Sequence, residues 1–124
     1  MFNRVLTFWF EELTPKDWFV KNADLDKEIE QRFLPVLERA TRCELVDWRD
    51  TAKGRLAEII VLDQFSRNVY RDTPLSFAQD PMALALAQEA LSLGLDRELT
   101  EVERPFLYMP FMHSESMVIH EQAM

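Results

Sequence analysis

Between Thr51 and Phe65 the chain reads Thr51-Ala52-Lys53-Gly54-Arg55-Leu56-Ala57-Glu58-Ile59-Ile60-Val61-Leu62-Asp63-Gln64-Phe65. Thr51 can accept from the free N–H groups of a helix start. Leu56, Ile59, Ile60, Val61, Leu62 and Phe65 leave almost no polar face before Asp63, and a helix apolar on nearly all sides must be covered by others. The spacing therefore predicts a central, buried helix. Outward from it, only two glycines stand in 124 residues, and no run alternates apolar and polar residues for long. That leaves few hairpin turns and no strand pattern, so the chain reads as all-helical.

The flanking helices carry their own punctuation. Asn3 caps a first helix to about Glu12. Thr14, Pro15 and Asp17 start a short second helix bearing Trp18 and Phe19. After Asp24 a longer helix places Ile29, Phe33, Val36, Leu37 and Ala40 on one stripe, with a kink expected at Pro35. Asp80-Pro81 reads as cap and first turn of a helix that Gly94 ends in the left-handed region, with Ala83, Ala87 and Ala90 as a small-residue edge. Thr100-Glu101-Val102-Glu103 is a capping box opening a helix that Pro110 should end, and Ser114 then caps a last helix.

Composition narrows the function classes. Hydrophobic residues make up 48% of the chain, which describes a compact domain and excludes linker-like or disordered chains. The formal net charge of -8 repels phosphate backbones and anionic headgroups, so neither nucleic acid nor a membrane is an expected partner. One cysteine, Cys43, allows no internal disulfide and no thiolate cluster. No segment reads as a signal peptide or membrane span, and the protein reads as cytoplasmic. Residues 1–124 read as one helical domain.

Two constellations carry chemistry. The first is Asp63-Gln64-Phe65-Ser66-Arg67-Asn68-Val69-Tyr70-Arg71. Asp63 and Arg67 are i, i+4 neighbours continuing the face of Leu56 and Ile59, so both are expected to be partly buried and hydrogen-bonded. Asp63, Arg67, Asn68 and Arg71 either tie the helix end to the following loop or line an anion-binding pocket, since guanidinium groups bond carboxylate or phosphate bidentately. The second is Tyr108-Met109-Pro110-Phe111-Met112-His113-Ser114-Glu115, with His120 and Glu121 beyond. The histidine spacing is not a metal pattern, so no metal or other cofactor is expected. Ser114 lacks the glycine-flanked setting of a nucleophile elbow. The early aromatics Phe8, Trp9, Phe10, Trp18, Phe19 and Trp48 read as core.

These motifs, with Val5-Leu6-Thr7-Phe8-Trp9-Phe10 at the start and Gly54 to Arg71 at the centre, resemble the bacterial family of unknown function DUF924 over nearly the whole chain. The resemblance implies a tetratricopeptide-like arrangement of antiparallel helix pairs in a right-handed superhelix, and no established activity. It also implies that the family pattern runs on beyond Met124, this chain being the N-terminal part of such a domain and lacking its C-terminal helices. Ser66 stands where the family usually has proline, and His120 where it usually has glutamine.

The expected function is a helical binding domain for a peptide or small anionic ligand, with Asp63, Gln64, Arg67, Asn68, Arg71, Tyr108, His113 and Glu115 as binding residues. The competing readings are a hydrolase-like enzyme with His113 as general base oriented by Glu115 or Asp63, and a structural, self-associating domain forming a homo-oligomer.

Overall fold

The computed structural model describes the backbone of residues 1–123 and the side chains of residues 1–114. Every regular element among them is helical. Helix α1 (Phe2–Thr7) runs into a π-helical turn at Phe8–Glu12. Helix α2 is Pro15–Phe19, and α3 is Ala23–Thr41. Helix α4 (Ala52–Ile60) passes through a second π-helical turn at Val61–Phe65 into α5 (Ser66–Val69). Helix α6 is Asp80–Ser92, and α7 is Arg104–Ala123. Short 3-10 turns at Val46–Asp50, Pro74–Phe77 and Leu95–Glu98 connect them. The all-α class is thus shown, while the superhelical arrangement stays an implication of the resemblance.

Helix α4 occupies the middle, as its apolar surround demands. Leu56, Ala57, Ile59, Ile60, Val61, Leu62 and Phe65 are buried, and α1, α6 and α7 pack against α4 while α3 covers the second π-turn and α5. The α3 stripe of Ile29, Phe33, Val36, Leu37 and Ala40 is buried, and the helix runs through Pro35. Ala83, Ala87 and Ala90 are buried on α6, where small side chains allow close helix approach. Trp9, Trp18, Phe10 and Phe106 form one aromatic cluster, with Trp18 4.9 Å from Phe106 between ring centres. No described helix is long and apolar enough to cross a membrane.

Several helix starts stand where their caps place them. Thr14 and Asp17 close a capping box on α2. The Thr51 hydroxyl accepts from Gly54 N–H at 3.0 Å, and Thr100 and Glu103 exchange bonds before α7. Other expectations need correction. Helix α1 begins at Phe2 rather than after Asn3, and α3 is capped by Asn22, whose side chain accepts from the N–H groups of Asp24 and Leu25. Asp80 lies inside α6, after Gln79, so its carboxylate is free for another partner.

The largest correction concerns α7. It continues through Pro110, so Ser114 is not an N-cap and His113 sits within the helix rather than before one. Phe106, Leu107 and Pro110 are buried. An internal proline removes one ladder bond, at about 3 kcal/mol, and each large side chain buried on the same face returns about 1.5–3 kcal/mol. Packing on α4 and α6 therefore outweighs the break. Glu58 also escaped notice. It is fully buried in α4, where Arg49 Nε and Nη2 each donate to its carboxylate at 2.9 Å.

Both glycines have backbone reasons. Gly94 adopts φ 72° just after α6, as a left-handed helix terminus requires. A Cβ on Gly54 would collide with the carbonyl oxygen of Trp48. Alanine would gain about 1 kcal/mol of helix propensity, but forcing an atom against fixed backbone costs roughly 1–3 kcal/mol or more. Gly54→Ala is therefore expected to lower the thermal midpoint by several degrees, and an unchanged or raised midpoint would show that the 48–54 approach relaxes freely.

Ser66 offers the opposite case. It is fully buried and its Oγ has no hydrogen-bond partner among the described residues. An unsatisfied buried hydroxyl costs about 1–3 kcal/mol. Ser66→Ala should raise the thermal midpoint by roughly 3–5 °C for a chain of this size. A fall on calorimetry would mean the hydroxyl is in fact bonded.

Candidate functional site

The α4 helix ends in a turn that carries Asp63 inward. The carboxylate has 1% of its side chain exposed, so it must be met by donors where it stands. Three side chains supply them. Gln64 Nε2 donates to Oδ2 at 2.9 Å, Arg67 Nη1 donates to Oδ1 at 3.1 Å, and His113 Nδ1 lies 2.8 Å from the same Oδ1. Toward an ionised carboxylate, which only accepts, His113 is the donor of this contact through Nδ1–H. The His113 side chain is 25% exposed.

Arg67 then links this turn to α6. Its Nη1 and Nη2 donate to Oδ1 and Oδ2 of Asp80 at 2.9 and 3.0 Å, while Nη1 also donates to the Asp63 carbonyl at 2.8 Å. The ring of Phe77, 52% exposed, lies with its centre 5.2 Å from the guanidinium carbon. Phe77 borders two hollows. One, of about 640 Å³, is walled by Arg67, Arg71, Asp72, Thr73, Pro74, Ser76 and Phe77. The other, of about 400 Å³, is walled by Phe77, Ala78, Asp80, Pro81, Leu84 and Ser114.

The expected binding residues divide. Asp63, Gln64, Arg67 and His113 come together. Asn68 and Arg71 turn to α3 instead, where Asn68 Nδ2 donates to Asp26 Oδ1 at 2.9 Å and Arg71 donates from Nε and Nη2 to Asp26 at 2.7 and 3.0 Å. Arg71 still borders the larger hollow. Tyr108 lies apart, with its hydroxyl 3.4 Å from Asp96 Oδ2. Glu115 falls outside the described side chains, as do His120 and Glu121. Among the described residues no three His, Cys, Asp or Glu side chains are grouped to hold a metal ion. Sequence reasoning missed Asp80, Phe77 and Asp26. Asp80 was assigned to a cap, and nothing local joins Asp26 to an arginine 45 residues away.

The family model described as bacterial protein of unknown function (DUF924) matches residues 5–124. The chain belongs to the DUF924 family. A solved structure described as a protein of unknown function, ATU0120 from Agrobacterium tumefaciens, is 36% identical to it with a TM-score of 0.88. The match covers 98% of this chain and 69% of that one. None of the curated proteins matches. The matched range includes Asp63 to Arg71, and the family's description names no reaction.

The Asp26 pair has a consequence for pH. Partial burial pushes the Asp26 carboxyl up, but the hydrogen bonds from Arg71 and Asn68 and the charges of Arg71 and Lys21 outweigh it, holding the group below the ordinary aspartate range. A carboxyl depressed by folding stabilises the native state above its unfolded value of about 4 and loses that contribution as pH falls through the folded value. Urea melts should therefore show Asp26→Asn less stable than the parent at pH 7, with the gap narrowing as pH falls below the unfolded value of about 4. A gap independent of pH would exclude this pair as a source of acid sensitivity.

Proposed function

We propose that the hollow beside Phe77 binds a small ligand bearing an anionic group. Its size supports this choice over a peptide. Sites for small molecules run from about 300 to 1,000 Å³, and the larger hollow lies inside that range at about 640 Å³.

One observation carries the reading: two arginines on one wall are each fixed by carboxylates and still keep an N–H group without a partner among the described residues. Arg67 uses Nη1 and Nη2 on Asp80 and Asp63, and Arg71 uses Nε and Nη2 on Asp26. Arg67 Nε and Arg71 Nη1 make no hydrogen bond among the described residues. A guanidinium fixed this way has lost its rotamer freedom before a ligand arrives, so the ordering cost of binding is reduced. Phe77 supplies an exposed ring for the ligand's apolar part. The single exposed Cys43 supports our reading of a reducing, cytoplasmic setting.

Thermal-shift and calorimetric titration with small carboxylates and phosphates tests the site. A ligand present at 100 times its Kd should stabilise the fold by about 2.7 kcal/mol. Phe77→Ala removes an exposed ring without opening the core, so it should weaken that ligand about tenfold while the unliganded thermal midpoint stays near the parent's. Absence of any stabilising member, or equal binding by Phe77→Ala, would dismiss the hollow as a site.

A further inference from the structure

We infer that the ligand of this site is a medium-chain aliphatic monocarboxylate, with its carboxylate in the larger hollow and its hydrocarbon end in the smaller one. The inference rests on the binding reading above and names the ligand class for it.

The two hollows are neighbours. Both have Phe77 in their walls. The larger is also walled by Arg67 and the smaller by Asp80, and these side chains meet in paired bonds of 2.9 and 3.0 Å. One ring and one ion pair therefore stand between the spaces. The Phe77 ring is half exposed and its centre lies 5.2 Å from the Arg67 guanidinium carbon. A chain leaving the arginines toward the smaller hollow thus crosses exposed aromatic surface, where a polar linker would gain nothing and methylenes are drawn out of water.

The polar groups of the two walls limit what such a ligand carries. On the larger wall the Thr73 and Ser76 hydroxyls donate to the carbonyl oxygens of Tyr70 and Thr73 at 2.8 Å each. Among the described residues, the unused side-chain donors of that wall are therefore those of its two arginines, which suit one carboxylate. On the smaller wall both Asp80 oxygens already accept from Arg67, and Ala78, Pro81 and Leu84 are apolar. Its described residues include no lysine, arginine or histidine. A second anionic group would lie against the Asp80 carboxylate with no unpaired cation beside it, whereas a hydrocarbon end meets apolar surface in a space of about 400 Å³.

Calorimetric titration of the intact chain with butanoate, octanoate, octanedioate and inorganic phosphate tests the assignment. Each methylene taken out of water is worth about fourfold in affinity, so octanoate should bind on the order of a hundredfold tighter than butanoate. Octanedioate, of the same length, should bind about tenfold or more weaker than octanoate. Ala78→Trp fills the smaller hollow from an exposed position, and within that variant the octanoate-to-butanoate ratio should fall toward unity. Nuclear Overhauser contacts between the terminal methyl of octanoate and the Leu84 methyls of the parent protein read the placement without any substitution, so a misfolded variant does not decide the matter. Those contacts support the inference. Their absence at saturating octanoate overturns it, as do a ratio unmoved in Ala78→Trp and octanedioate binding as tightly as octanoate. Butanoate that binds with no gain from added methylenes, or binding of phosphate alone, overturns the hydrocarbon chain and leaves the anion reading standing. Absence of binding by all four overturns both.

Discussion

A carboxylate buried to the extent of Asp63 is stable only while its donors stay in place. Moving such an ion from water costs several kcal/mol even after relaxation, and removing one partner of a buried pair costs about 3–5 kcal/mol. Its donors come from three elements: Gln64 on the same turn, Arg67 on α5 and His113 on α7. Arg67 extends the chain of contacts to Asp80 on α6. One buried charge therefore sets the mutual positions of four helical segments, and through α5 it fixes Arg67 in the wall of the hollow beside Phe77. Replacing all four polar groups with apolar ones could preserve stability. It would not preserve the orientation of an arginine edge or an imidazole nitrogen.

The two π-helical turns explain how the backbone reaches these positions. A π-turn widens the helical ladder, and such turns collect at functional sites. In this chain each widened turn contains a carbonyl that accepts from a side chain. Asp63 O accepts from Arg67 Nη1 at 2.8 Å, and Trp9 O accepts from Trp18 Nε1 at 2.9 Å. The first π-turn thereby pins α2 to the aromatic cluster, where Trp9 and Trp18 stack with centres 6.3 Å apart. The second pins Arg67 at the mouth of the hollow. Arg67 thus bonds a backbone oxygen and two carboxylates and lies over the face of Phe77, which leaves its Nε without a hydrogen-bond partner among the described residues.

Features written within a few residues of each other were legible in the sequence. Thr14 with Asp17, Thr51 with Gly54 and Thr100 with Glu103 each close on their own backbone, so side-chain chemistry alone marks the helix start. Asp63 and Arg67 were legible for the same reason, being one turn apart. Pro110 was misread because a local rule against proline yielded to the burial of Phe106 and Leu107 around it. Both π-turns were invisible, since they arise where tertiary packing shifts the ladder. At the site, local chemistry offered His113 either Glu115 or Asp63 and had no means of choosing. The Asp63 contact spans 50 residues and exists only once α7 lies against the end of α4.

Charge around the hollow limits how any ligand is drawn to it. Arg67 is compensated by Asp63 and Asp80, Arg71 by Asp26, and the whole chain carries a formal charge of -8. No long-range positive field steers an anion here, and at physiological salt fields are screened beyond about 8 Å in any case. Attraction must come from direct N–H contacts made after the ligand has entered. On the proposed reading, such a site would discriminate by the fit of acceptor oxygens to fixed guanidinium N–H groups rather than by net charge. Bulky polyanions gain little from it, because they meet the surrounding carboxylates as well as the two arginines. A compact ligand with one anionic group and an apolar body would avoid that penalty, which is why the proposal names that class for the hollow lined by Phe77, Arg67 and Arg71.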